Sequence, residues 1–308
     1  MKTEGPKTLA ATTVGDASYL RIRLLVALSL LAFVVMLFLN LPVYFVTDDL
    51  MFLEKTLDVG LASALDPTVP RVFYRPLTQD LYFRALFALF GMRPTFFHLV
   101  NFGLIAVNLV LTFRLSRRLN GKVEAAAWSV FFSVITLINF RVYFWISCIQ
   151  DILMTTLALA AALCFIAARD AGPRARAAII SGPVLFGLSL LAKESALLLP
   201  LWLWLYDWLH GGRRDCFYRM WLRHVGFDLM FIAFFIFSLV RPLPMDNPYH
   251  LGHPLWVVKN LDGYLNAIWL TLALGAFNPA PVGLAGLAVG LVALIILVAL
   301  ALAVAASS

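Results

Sequence analysis

The chain has 308 residues, of which 62% are hydrophobic and only 13% charged. Soluble domains are about half apolar and a quarter charged, so that class is excluded and most of this surface must face lipid. The net charge of +7 lies in short basic clusters between apolar runs, a topological pattern rather than a nucleic-acid-binding one, and Cys148, Cys164 and Cys216 fall near three predicted depths and suggest no disulfide framework.

A bilayer core is crossed by about 20 apolar residues. On that ruler the sequence predicts an all-α polytopic membrane protein of about nine transmembrane helices, at 22–46, 95–115, 123–140, 147–168, 178–193, 195–210, 224–240, 262–277 and 283–306. The first run is longer than a signal-peptide core and no convincing small-residue cleavage site follows it, so it is expected to be retained. The two runs flanking Lys193 are short and also read as one broken helix. Lys and Arg concentrate in alternate gaps: Lys2, Lys7, Arg21 and Arg23; Arg114, Arg117, Arg118 and Lys122; Arg169, Arg174 and Arg176; Arg213, Arg214, Arg219 and Arg223. These hold 15 of the 24 basic residues, which places the amino terminus in the cytoplasm and the other gaps on the periplasmic or extracellular side, with a bacterial inner membrane as the expected setting. The expected divisions are a cytoplasmic segment at 1–21, a transmembrane core at 22–210 that includes an outer loop at 47–94, and carboxy-terminal transmembrane helices at 211–308.

Within the outer loop, Leu81, Ala85, Ala88 and Leu89 recur at helical spacing beside Gln79, Asp80 and Arg84, which predicts an amphipathic interfacial helix over Leu77 to Phe90. The remaining ionisable residues form clusters. Asp48 and Asp49 follow span one; adjacent carboxylates at a membrane boundary repel and lose water, which raises at least one pKa and suits a general base, unless the pair merely ends a helix. Arg71 and Arg75 flank Phe73 and Tyr74 ahead of Pro76, and guanidinium groups hold phosphate through paired hydrogen bonds, although an arginine at this depth also snorkels to ordinary lipid. Gln150 and Asp151 open span four, where an unpaired carboxylate is expensive and should meet Arg141 or Lys193. Lys193 and Glu194 form a charged pair that could hold a phosphate or make a tight helix turn. His250 and His253 lie in the loop between spans seven and eight, read as substrate-lining rather than metal-binding because Gly252 and Pro254 oppose helical ligand geometry. Asp207, Asp228 and Asn108 give no coherent second site.

The order of these pieces resembles the GT-C superfamily of integral-membrane glycosyltransferases, particularly the branch of protein O-mannosyltransferases and the lipid A aminoarabinose transferase. The matching segments are Val46-Thr47-Asp48-Asp49, Tyr74-Arg75-Pro76-Leu77-Thr78, Phe97-His98-Leu99-Val100-Asn101, Trp145-Ile146-Ser147 with Gln150-Asp151-Ile152-Leu153, and Leu191-Ala192-Lys193-Glu194-Ser195. The resemblance implies inverting transfer of a sugar from a polyprenyl-phosphate donor to a glycolipid, polysaccharide or protein acceptor. It assigns Asp48 or Asp49 as general base and Arg71, Arg75 and Lys193 as ligands of the departing phosphate. Gln150, Asp151, Glu194, Tyr74 and His250 would support those groups or line the acceptor side. No cofactor is required by this chemistry, and a divalent metal is not indicated. The relatives are commonly longer, but the matching pieces lie in the first two thirds of this chain. The competing readings are a transporter or flippase of a lipid-linked or anionic substrate, a catalytically silent relative, and a membrane scaffold.

Overall fold

Proline and glycine set several of the helix ends in the computed structural model, which describes residues 7–136, 140–169, 175–210 and 217–242. Helix α1 (Lys7–Asn40) stops short of the expected Val46 because Leu41 precedes Pro42, which disfavours helical backbone there. The Asn40 amide instead turns back to donate to the Met36 carbonyl at 2.6 Å. After α2 (Thr47–Asp58) and α3 (Leu61–Leu65), Pro76 opens a π-helical turn (Pro76–Leu81) that runs into α4 (Tyr82–Phe90). That helix ends at Gly91, and α5 (Pro94–Asn120) ends at Gly121; both glycines hold positive φ, 61° and 68°, where a side chain is strained. Then come α6 (Val123–Ile135), α7 (Phe140–Phe144), a 3₁₀ turn at Ile146–Cys148, α8 (Ile149–Arg169) and α9 (Ala175–Ala192). A second 3₁₀ turn at Glu194–Leu198 leads into α10 (Leu199–His210), and α11 (Phe217–Val240) completes the described chain.

The chain is an all-α membrane protein. Among the described residues, five stretches are long and apolar enough to cross a bilayer: 18–40, 94–120, 146–169, 175–192 and 220–240. The runs expected at 123–140 and 195–210 are present as the shorter α6, of 13 residues, and α10, of 12. The runs expected at 262–277 and 283–306 lie outside the described residues, as does His250. Lys193 has an extended backbone, φ −162° and ψ 136°, so the apolar runs on either side of it are separate helices rather than one bent helix. In the segment read as an interfacial helix, Leu81, Ala85, Ala88 and Leu89 do form an exposed stripe. Its other face, Phe83 and Leu86, is buried in the core.

Two apolar clusters hold the bundle together. One gathers Phe45, Phe52, Phe83, Phe97, Ile146 and Ile149 where α2, α4, α5 and the start of α8 meet. The other packs Ala161, Ala162, Phe165, Phe186, Leu203 and Phe227 among α8, α9, α10 and α11. Small residues on α8 and α9, including Ala161, Ala162 and Ala178, let the two backbones approach closely, the usual basis of helix association where lipid offers no hydrophobic drive.

With the shorter α6 and α10 counted among them, successive spans run in opposite directions, so the ends of α1 and α9 share one end of the bundle with the starts of α5 and α8. Thr95 at the start of α5 donates to the Leu41 carbonyl at 3.1 Å, and Asn101 donates to Ile146 O at 3.1 Å. The other end carries the basic gaps. There Asp207, absent from any site read from the sequence, is buried against Arg223 (3.1 Å), His224 (3.1 Å) and Arg169 (3.9 Å). Trp204 stacks on His224 and donates to Asp228 at 3.2 Å, while Asn108 donates to Ile152 O at 3.0 Å and ties α5 to α8. These polar groups are therefore helix clamps, paired as a low-dielectric setting demands.

The α9–α11 contact gives a stability prediction. A Cβ at Gly226 would meet Cγ of Pro183 at 2.5 Å, and the proline ring cannot turn aside; one at Gly187 would meet only the flexible Met230 sulfur, at 3.3 Å. Overpacking of this kind costs about 1–3 kcal/mol. In detergent, Gly226→Ala should lower the melting temperature clearly and Gly187→Ala much less; equal effects would show that α9 and α11 do not pack this way.

Candidate functional site

The site begins at the link between α1 and α2. Asp49, in the first turn of α2, is fully buried at 0% exposure. One of its carboxylate oxygens accepts the Val46 N–H at 3.0 Å, the reach-back half of a capping box, and the other accepts the Ser147 N–H at 2.6 Å. A single side chain thus fixes the α2 start to the turn before α8. The link is gripped from α5 as well: His98, also buried, places Nε2 3.2 Å from the Val43 carbonyl. The Tyr82 hydroxyl donates to Asn101 at 2.7 Å, so the Phe97–Asn101 segment acts as a clamp joining four elements. Burial raises the Asp49 carboxyl above its ordinary 3.8, opposed by the Val46 and Ser147 hydrogen bonds and by His98. Asp48, its neighbour, is exposed.

Arg75 stands at the centre. It precedes Pro76, and the π-helical turn that follows is docked on the end of α9, with the Thr78 hydroxyl donating to Ala192 O at 2.9 Å. Its guanidinium donates through Nε to Glu194 Oε2 at 2.7 Å, through Nη2 to the other Glu194 oxygen, and through Nη1 to the Gln150 side-chain oxygen. Phe73 lies under it at 4.2 Å from ring centre to guanidinium carbon. Beside this bridge, Lys193 Nζ donates to Asp151 Oδ1 at 2.5 Å. The neighbours Gln150 and Asp151 are therefore crosslinked to the neighbours Lys193 and Glu194 twice, once directly and once through Arg75. Burial alone would raise the Glu194 carboxyl, but Arg75 and Lys193 hold it below its ordinary 4.5. An arginine has five N–H donors, so these bonds leave two on Arg75 without a hydrogen-bond partner among the described residues.

Two sequence candidates are placed differently. Arg71 donates to the Ala64 and Ser63 carbonyls and lies 3.4 Å from Asp80, which also pairs with Lys55 at 2.9 Å. With Asp80 only 2% exposed, this trio organises the loop from α3 to the π-helical turn rather than offering a free cation. Tyr74 likewise donates to Leu65 O at 2.8 Å, and its ring packs on Phe237 of α11 at 5.2 Å. Of the residues singled out in the sequence, the structure joins Arg75, Gln150 and Glu194 in one set of hydrogen bonds with the Lys193–Asp151 pair beside it, and Asp49 bonds Ser147, three residues before Gln150. The sequence reading missed Arg241, which follows α11 and donates to Val72 O at 2.6 Å. The available signal was an arginine directly after an apolar run that begins at the opposite end of the bundle.

No family model, no curated protein and no solved structure matches the chain. The fold and site place it in the class of multi-pass α-helical membrane proteins with a paired charged cluster at one end.

The burial of Asp49 sets a pH dependence. A carboxyl whose folded pKa is raised stabilises the fold fully below its unfolded value and loses that contribution as pH rises through the folded one. Asp49→Asn removes the titration and leaves one of two N–H groups without its acceptor, a cost of about 1–3 kcal/mol. Melting temperatures measured from roughly pH 4 to pH 7 should show the wild-type advantage over Asp49→Asn shrinking as pH rises. An advantage that grows with pH would mean that hydrogen bonding, not burial, governs this carboxyl.

Proposed function

We propose that the chain is a membrane glycosyltransferase that moves a sugar from a polyprenyl-phosphate donor to a cell-envelope acceptor, on the non-cytoplasmic face and with inversion at C1. The observation that carries this reading is the meeting of Arg75, Gln150, Asp151, Lys193 and Glu194 at the end of the bundle where Asp49 anchors the start of α2. Those residues come from separate segments that the sequence resemblance orders as one active site. The distribution of Lys and Arg supports an orientation with this end outside, as in a bacterial inner membrane.

The reaction asks for two things. A carboxylate must take the proton of an acceptor hydroxyl as that oxygen attacks C1, and cations must stabilise the phosphate oxygen that receives the electron pair of the breaking C1–O bond. Asp49 is spent on two backbone N–H groups and fully buried, so exposed Asp48 takes the role of base and Asp49 that of its anchor. Arg75 and Lys193 take the phosphate, held in place by Gln150, Glu194 and Asp151. Preorganisation of this kind makes the electrostatic term effective, because the cations need not move when charge develops. A transporter would be expected to break its helices near the membrane midplane; the breaks before α8 and at Lys193 are both at the site end.

Transfer from a panel of radiolabelled polyprenyl-phosphate sugars to envelope extracts tests this. Asp48→Asn should lower transfer by about 10²- to 10⁴-fold, the usual contribution of a positioned base, with melting temperature unchanged. Full activity in that variant would remove Asp48 from the mechanism, and no transfer by wild type from any donor would remove the enzyme reading.

A further inference from the structure

Arg75, Lys193 and Arg241 surround two carboxylates, Glu194 and Asp151. Arg75 is paired with Glu194, and Lys193 with Asp151. Among the described residues, Arg241 meets no carboxylate within ion-pair distance; its side chain donates to the Val72 carbonyl at 2.6 Å. Of these three cations, Arg241 is therefore the one without an ion-pair partner among the described residues. Two independent contacts hold this end of α11 against the Arg75 loop: the Val72 hydrogen bond, three residues before Arg75, and the packing of Phe237 on Tyr74. Burial holds the Arg241 pKa below its ordinary value, opposed by Glu194 and reinforced by Arg75, so the guanidinium senses both members of the central pair. A half-buried guanidinium bonded to one neutral carbonyl has donors to spare and a desolvation cost that an anion would repay.

We infer that Arg241 is a further ligand for the phosphate of a prenyl-linked substrate, joining Arg75 and Lys193 beside the Arg75–Glu194 and Lys193–Asp151 pairs. The inference rests on the donor reading above for the identity of the anion. Arg241 supplies the attraction, and the spare donors of Arg75 complete the grip without breaking its bridge to Glu194 and Gln150.

The test is binding of farnesyl phosphate, a short prenyl phosphate, to the full chain in detergent, with inorganic phosphate and phosphatidylglycerol as competitors. Arg241→Gln keeps a donor for Val72 O and should keep the melting temperature, yet should weaken farnesyl phosphate binding by about 10- to 100-fold, as expected for a lost charge-assisted hydrogen bond. Arg241→Lys should recover part of that loss. Equal binding by wild type and Arg241→Gln would overturn the inference. So would competition by phosphatidylglycerol or inorganic phosphate at concentrations equal to farnesyl phosphate, which would reveal an ordinary headgroup contact or a free-phosphate site. The two proposals fail separately: binding lost in Arg241→Gln with no sugar transfer by wild type sinks only the enzyme reading, while transfer by wild type with Arg241→Gln unchanged in binding and in KM for the donor sinks only the role of Arg241.

Discussion

The bridge from Arg75 to Glu194 and Gln150 is the interaction on which the arrangement at this end of the bundle depends. Charges at the rim of a membrane protein lose much of their water, and each must find an opposite charge or a hydrogen-bonding partner nearby. Arg75 meets that demand by joining the loop after α3, the start of α8 and the break after α9 in one set of hydrogen bonds. Lys193 and Asp151 repeat the α8–α9 link beside it. Because each pair consists of neighbours in sequence, a shift of either helix by one residue would break both connections. The bridge therefore fixes helix register as well as charge.

Around that bridge, buried polar groups hold the chain segments in place. Asp49, His98, Asn101, Thr78 and Asp80 are all buried and all bonded to backbone or to a partner side chain. At the opposite end of the molecule, Asp207 with Arg223, His224 and Arg169 ties α8, α10 and α11 together.

The convergence of the charged clusters was legible because each lies at the end of an apolar run, and the spacing of Lys and Arg assigns those ends to one side. The choice between Asp48 and Asp49 was not legible. It depends on which carboxylate turns toward Ser147, and that follows from packing of α2 on α5 and α8, which sequence periodicity does not encode. Arg71 read as a phosphate ligand by residue type, but its side chain is committed to the Ser63 and Ala64 carbonyls and Asp80, partners within the same loop whose folding no motif specifies. Arg241 was missed for the opposite reason: one arginine after an apolar run looks like any snorkelling boundary residue, and only its contact with Val72 sets it apart. The Asp207 cluster likewise unites residues from three helices with no common motif.

Under the proposed function, this charged end binds the phosphate of a prenyl-linked substrate. The most direct measurement is photo-crosslinking with a prenyl phosphate carrying a diazirine next to the phosphate, followed by mass-spectrometric mapping of the labelled peptides. Adducts are expected in peptides containing Val72 to Pro76, Gln150 to Asp151, Lys193 to Glu194 and Arg241. Adducts confined to the opposite end, around Arg169 and Arg223, would contradict that binding.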